Sequence, residues 1–510
     1  MRLASKAPTN VQYVVPPTRQ LLTQGGDARI QLDPANGTNK YGCRPLPDDA
    51  LIQLGSSTAS VISSRGFTAA EALRQQLESD AETESLIASY SRELDRIRRE
   101  LQQLCRIKNI PGVEIVFAAS GTDLHLIAGQ LGASNQTATT RVIMVGAEET
   151  GSGVPSALAG CHFSNQTALG ESAVDGQPIP NSRTTNISNI AIRHDDGSPR
   201  SIREIDTEVE NLVKWSVAAG QRVLLIMVDV SKTGIIAPSP ACVAALHRMF
   251  AHTVEVLVDA CQFRIAPPTL QAYLQHGFMV AITGSKFLTG PSFSGALLLP
   301  AQITQRIRRL PSPMVLRDYC SRAEWPNDWP VADGLRNVAN IGLLLRWEAA
   351  LAELKAFHQI PESDVSDFLY AFADAVYTRL ENDAAFEPLP INKLDRSPLV
   401  DTSSWDAITT IFPFIPYRTT GLGGRAPLHR KQTERLYQML YSEPDAQHRL
   451  GQPVACGEHD SIPISALRIC ASTRLVVEAF SENGVGAEGI INRTQAALDR
   501  ISLLTQLQFD

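Results

Sequence analysis

Two ionisable residues sit where apolar runs end. VEVLVDACQ (254–262) closes on Asp259-Ala260-Cys261-Gln262, and GFMVAITGS (277–285) runs into Lys286. A carboxylate or an ammonium at the end of a buried strand is costly unless a partner meets it. Taken alone, a strand-end lysine is ordinarily a solvated surface charge. Lys286 differs in its surroundings, with Thr283, Gly284 and Ser285 behind the apolar FMVAI. A partly desolvated lysine loses basicity and becomes a nucleophilic amine able to form a Schiff base. Asp259, facing the same cavity, would supply a carboxylate able to hold a proton on an aromatic ring nitrogen. A third stretch completes the set. SGTDLHLIAGQL (120–131) reads as a strand-to-helix turn. The free N–H groups of a helix start, with the Thr122 hydroxyl, suit a phosphate dianion. The same SGTD is also an ordinary helix N-cap.

These residues need a scaffold that gathers strand ends. From about 113 onward, apolar runs alternate with polar or helical segments: VEIVFAAS (113–120), RVIMVGAEE (141–149), RVLLIMVDVS (222–231), VEVLVDACQ, GFMVAITGS and GALLLP (295–300). Near-continuous Val/Ile/Leu runs predict a mainly parallel sheet buried on both faces, an α/β domain. Ligands of such sheets bind beyond the carboxyl ends of the strands. That makes Ser120, Gly121, Thr122, Glu149, Ser231, Asp259 and Lys286 candidate site residues.

Residues 68–105 contain no Pro or Gly and are rich in Ala, Leu, Glu and Arg, which predicts helix, divided in two by the polar SDAETES. The RELDRIRRE run within it reads as a solvated helix face. Residues 1 to about 50 read as an irregular arm, and 51–67 as a short strand or turn. After about 310 the texture shifts to a Trp-Pro segment (321–334), a long helix (335–357), and later helices and a strand of α+β character. The expected organisation is an N-terminal arm (1–67), a large α/β domain (68–310) and a smaller C-terminal α+β domain (311–510).

Composition narrows the function. The chain has 510 residues, 44% hydrophobic and 19% charged, with a net charge of -7. No basic excess exists to neutralise phosphate backbones, so nucleic acid is not the expected main partner. No window approaches the roughly 18 apolar residues of a membrane span, and the N-terminus lacks the apolar stretch of a secretory signal. The eight cysteines form no CxxC or Cys/His ligand pair, so no metal site is expected, and reduced thiols in a cytoplasmic protein are.

The joint order of Gly121-Thr122, Asp259-Ala260-Cys261-Gln262, and Ser285-Lys286 followed by Gly290-Pro291 resembles the fold type I pyridoxal-phosphate enzymes, in particular the class V aminotransferase and cysteine desulfurase branch. The resemblance covers residues from about 113 to 300. It extends weakly to ALRICAST, which resembles the family strand whose arginine holds the substrate carboxylate, here Arg468. It implies pyridoxal 5'-phosphate as cofactor, with Lys286 as the Schiff-base lysine, Asp259 on the pyridine nitrogen and Gln262 on the phenolic oxygen. Ser120, Gly121, Thr122, Thr283 and Ser285 would hold the phosphate. Ser231 takes the place of a frequent Asn near the ring, and the neighbouring Lys232 is unusual there. A small-molecule amino-acid-like substrate and a homodimer are also implied.

The sequence departs from the family at two places. Relatives stack a His or another aromatic on the cofactor, where GAEETGSG places Glu149 or Thr150, and many carry His where Ser285 stands. Transamination is the leading expectation, because it needs only the lysine to move a proton and the arginine to grip a carboxylate. The alternatives are a cysteine desulfurase or C–S lyase, another elimination, or a decarboxylase. A desulfurase needs a mobile thiol, and Cys456 in GQPVACGEHDS reads as lying in an exposed loop; an incidental buried cysteine is the bland alternative. A cofactor-binding scaffold without turnover is the non-enzymatic reading. His125 is either a packing residue or a cofactor contact. Tyr41 either closes the substrate pocket or belongs to an arm that only packs. The Trp segment is read as a substrate lid or a dimer contact, and Arg322 as a phosphate or substrate contact across a dimer.

Overall fold

The computed structural model describes residues 15–133, 139–183, 185–400, 404–420, 424–442, 448–482 and 484–507. Its strands in chain order are β1 (Ile52–Leu54), β2 (Glu114–Ala118), β3 (Thr140–Val145), β4 (Asn186–Ile190), β5 (Arg222–Val228), β6 (Val254–Ala260), β7 (Met279–Thr283), β8 (Gly295–Leu299), β9 (Phe386–Pro388), β10 (Ile411–Thr419), β11 (Arg425–Pro427), β12 (His448–His459) and β13 (Ile462–Cys470). All six apolar runs read from the sequence are strands of one sheet, in the order β2-β8-β7-β6-β5-β3-β4. Neighbours from β7 through β4 are parallel, and β8 lies antiparallel between β2 and β7. The α/β class with a mainly parallel sheet is therefore as expected. Parallel neighbours need long crossovers. Helices Ile202–Ala218, Pro240–Met249 and Pro267–Gln275 stand before β5, β6 and β7 in turn.

The continuous apolar runs have a direct physical cause. Successive strand residues point to opposite faces, and both faces here are covered. Val256, Val258, Val280, Ile282 and Leu298 join the core beneath the helices Ser64–Asp80, Leu86–Leu104 and Ile341–Phe357. Leu257, Met279, Ala281, Leu297 and Leu299 join the core of the other face, with helix Gly121–Ala133. β4 is the strand the sequence hid. Its NISNI lies at the sheet edge and is largely solvated, so it needs no run of branched apolar residues.

Chain beyond 310 still packs on this sheet. Trp325 and Trp329 are wholly buried in the second core, ring edge to ring face at 6.1 Å. This corrects the reading of that segment as a lid or surface contact: two indoles this deep are core. Arg322, partly exposed, bonds within its own segment, to Asp333 and to the carbonyls of Pro326 and Asn327.

A second sheet has the order β1-β12-β13-β10-β11, with β9 paired to β10. Helices Glu362–Asn382, Thr473–Phe480 and Gly486–Leu507 share its apolar core. β1 pairs parallel with β12, so the N-terminal segment is a strand of the C-terminal sheet. The arm ahead of it is anchored by Arg346, which is fully buried and donates to the carbonyls of Leu22, Gln24, Gly25 and Phe293. The two sheets are joined by a buried ion pair, Arg396 to Asp229.

Candidate functional site

The ends of β5, β6 and β7 and the turn after β2 surround one cavity of about 330 Å³. Asp259 is the penultimate residue of β6, opposite Val228 of β5 and Ala281 of β7. Lys286 follows β7 after Gly284-Ser285. The short turn brings it to the same edge, and it reaches the cavity with no hydrogen bond or ion pair to other described residues. Arg468 arrives from β13 of the second sheet, about 180 residues further along the chain.

Asp259 does not stand alone. His125, one turn into helix Gly121–Ala133, places Nε2 3.4 Å from its Oδ2, while the other ring nitrogen meets the Gly121 carbonyl at 2.7 Å. The Cys261 N–H donates to Oδ1. Burial by itself would push Asp259 up, but His125, Lys286 and that N–H hold it well below the usual carboxylate range. His125 is raised: burial opposes its charge, and Asp259 outweighs burial. The pair is buried, and each partner favours the charged form of the other. His125 thus acts on Asp259, a role between the two read from the sequence.

At one end of the cavity, Gly121 and Thr122 open the helix with N–H groups that have no intrahelical acceptor. Ser120 caps it, its hydroxyl accepting from the Asp123 N–H. A side chain at 121 would stand 3.0 Å from Cys261 Sγ, so glycine lets the helix start rest on the cavity floor without displacing that thiol. Thr283 donates to the Cys261 carbonyl at 2.7 Å, and the Ser285 hydroxyl lies 3.4 Å from that of Thr283. Gln262 accepts from Ser56 at 3.3 Å.

Arg29 is the group the sequence did not disclose. It comes from the arm, is held bidentately by Asp27, and reaches Thr122 Oγ1 at 3.3 Å and Ser120 Oγ at 3.4 Å. Its guanidinium lies 5.0 Å from the Phe293 ring centroid, and Tyr41 lies against it. A lone arginine in an irregular arm carries no local signal. The adverse feature at this end is Asp123, yet burial, helped by Asp27, pushes it up to about 7, which weakens its charge near neutrality. Exposed helix N–H groups, hydroxyls and an arginine around one glycine-floored hollow fit a phosphate group.

At the other end, Arg468 is buried and bonds only carbonyls, those of Gln452 and Lys232. It has no carboxylate partner among the described residues. Burial lowers its pKa, and an incoming carboxylate would relieve that cost.

Three residues stand differently from their sequence reading. Glu149 borders the cavity, but its carboxylate is held by Arg193, the Ser231 hydroxyl and the N–H and hydroxyl of Thr233. It is committed to the loop after β5. Ser231 is tied up in the same network and does not line the cavity. Cys456 is not in an exposed loop. It lies within β12, buried, with the thiol on the Val454 carbonyl, and burial pushes it up to about 12. The charged stretch after it is the end of a hairpin strand, turned by Asp460 and Ser461 at positive φ.

No family model and no curated protein matches the sequence. Solved structures do match in fold. A cystine C–S lyase, C-DES, in complex with cysteine persulfide superposes with a TM-score of 0.53 at 13% identity, covering 88% of this chain and 96% of that one. Oryza sativa TDC with PLP and tryptamine gives 0.52 at 12%, covering 89% and 84%. A cysteine desulfurase from Thermococcus onnurineus NA1 gives 0.51 at 12%, covering 89% and 94%. At these identities the likeness is one of fold.

Proposed function

From the premise that the chain has the fold of the type I pyridoxal-phosphate enzymes, we propose that it binds pyridoxal 5'-phosphate at Lys286 and acts on an amino acid, most simply as an aminotransferase. The supporting observation is the convergence on one cavity of Asp259 and Lys286, at the ends of neighbouring strands, and Arg468, about 180 residues further along the chain. Arm, large domain and C-terminal domain, with a homodimer in the cytoplasm, form part of the same proposal.

The cofactor, when bound, supplies an electron sink conjugated to the substrate amino group. The chain supplies everything else. Gly121, Thr122, Ser285 and Arg29 bind the phosphate. Asp259 holds a proton on the ring nitrogen, and His125 keeps Asp259 ionised so that it can. Gln262 donates to the phenolic oxygen. Arg468 takes the substrate carboxylate in a two-pronged contact and so fixes which Cα bond faces the reacting system. Lys286 Nζ, free of other partners, takes and returns the Cα proton.

The test is a single-turnover screen of amino acids against the loaded protein. Release of one equivalent of the matching 2-oxo acid without a second substrate supports transamination. Sulfide from cysteine or carbon dioxide release would replace it with the corresponding lyase reading. Replacing Cys456 by Ser is expected to leave any turnover within about twofold, because a thiol this buried has no access to substrate. Arg29→Ala is expected to weaken cofactor binding tenfold or more, the loss of one charge-assisted contact of about 1.5–3 kcal/mol. Titration of the apoprotein with pyridoxal phosphate, followed by visible absorbance, measures it.

A further inference from the structure

The substrate end of the cavity holds a second cation besides Arg468. Lys232 follows β5, and its backbone is fixed on both sides. Its N–H donates to the Glu149 carbonyl at 2.8 Å, and its carbonyl accepts from Arg468 at 2.9 Å. Its ammonium lines the cavity and bonds two carbonyls, those of Ala147 at 3.1 Å and Glu148 at 2.9 Å. No carboxylate forms an ion pair with it among the described residues. A buried arginine and a half-buried lysine, each hydrogen-bonded only to neutral oxygens among the described residues, are electrostatically under-compensated.

The acids nearby do not correct this. Glu149 is committed to Arg193, Ser231 and Thr233. Glu148 and Glu434 are exposed. Asp259 is paired with His125, and Asp27 and Asp123 face Arg29.

We propose that the cavity takes an amino acid bearing a second anionic group, with Arg468 receiving one carboxylate and Lys232 the other. This deepens the function proposed above and rests on the cavity being the substrate site. Lys286 would then face the amino group between the two anchors. A purely structural lysine, holding the 146–149 turn by its carbonyls, is the competing role.

The groups facing Lys232 are Arg468 from β13, Lys286 from the loop after β7, and Glu148 and Glu149 from the turn after β3. Burial first, then Arg468 and Lys286, bring Lys232 down to about 8. Its charge is therefore present below pH 8 and lost above it, so its hold on an anion weakens as pH rises through that value.

The experiment uses protein loaded with pyridoxal phosphate and two unreactive probes, glutarate and butyrate, with dissociation constants from calorimetry. Glutarate is expected to bind about tenfold tighter than butyrate, one charged contact's worth. Lys232→Met should remove that preference and leave butyrate within about twofold, Lys232→Arg should keep it, and raising the pH from 7 to 9 should erode it. Equal binding of both probes to the wild-type protein overturns the proposal, as does a Lys232→Met variant that weakens both equally, the mark of a structural role. The visible band that depends on Lys286 is read on the same samples. Its presence with no glutarate preference leaves the cofactor site standing and only the two-anion reading lost, and its absence removes the site reading itself.

Discussion

Lys286→Ala is expected to abolish turnover, by about 10³-fold or more, and to remove the visible absorption band that pyridoxal phosphate acquires on joining a lysine amine. Each factor of ten corresponds to about 1.4 kcal/mol of barrier, so the substitution removes about 4 kcal/mol or more. The size follows from one side chain serving two ends. In the function proposed above it is the covalent anchor in the resting state and the proton carrier at Cα during the reaction. Lys286 is well suited to both, because it reaches the cavity uncommitted while Asp259, on the neighbouring strand, answers its charge. Lys286→Arg is the informative control: it preserves the positive charge and removes the nucleophilic amine. Both variants should bind the cofactor without the band. A band that survives in Lys286→Ala would move the anchor elsewhere, and Lys232 would be the next amine to replace.

The largest effect on stability is expected from Asp229→Ala. Asp229 follows β5 and is wholly buried. Arg396, from the chain between β9 and β10, meets both its oxygens at 2.7 and 2.8 Å, and the Tyr273 hydroxyl donates to it at 2.7 Å. Arg396 also donates to the Asp406 carbonyl. Burial works against the Arg396 charge, and Asp229 more than restores it, raising the guanidinium above its ordinary value. Removing the carboxylate takes the nearer counter-ion from a buried cation and leaves it the Asp406 carboxylate at 4.0 Å, which costs about 3 kcal/mol. Thermal unfolding should show the midpoint several degrees lower. Asp229→Asn keeps the hydrogen-bond acceptor and should lose less than Asp229→Ala. The site should feel the change too, since Asp229 is three residues from Lys232 and sits beside the Asp259 backbone, whose carbonyl accepts its N–H at 3.0 Å.

How far the site could be read in advance depended on where its residues lie along the chain. Gly121, Thr122, Asp259, Gln262 and Lys286 each close or follow an apolar run, so their positions carried a local mark. Their common edge followed from the strands being parallel. Arg468 was reached only through resemblance, because β13 belongs to another sheet. His125 was seen but its role was not, since nothing local says that a ring one helical turn from Gly121 will meet a carboxylate on β6. Cys456 and the two tryptophans were misjudged because local sequence does not report burial, which is decided by what packs on top.

What the sequence by itself determined is the large sheet and its chemistry-bearing edge. Runs of Val, Ile and Leu cannot remain solvated, their length selects strands, and polar residues at their carboxyl ends must then face a shared crevice. The tertiary structure alone decided what closes that crevice. The arm's Arg29 over the phosphate hollow, Arg468 and Lys232 at the far end, and the locking of Glu149 all come from contacts between segments tens to hundreds of residues apart, which no local pattern encodes because their energy exists only once the chain is folded.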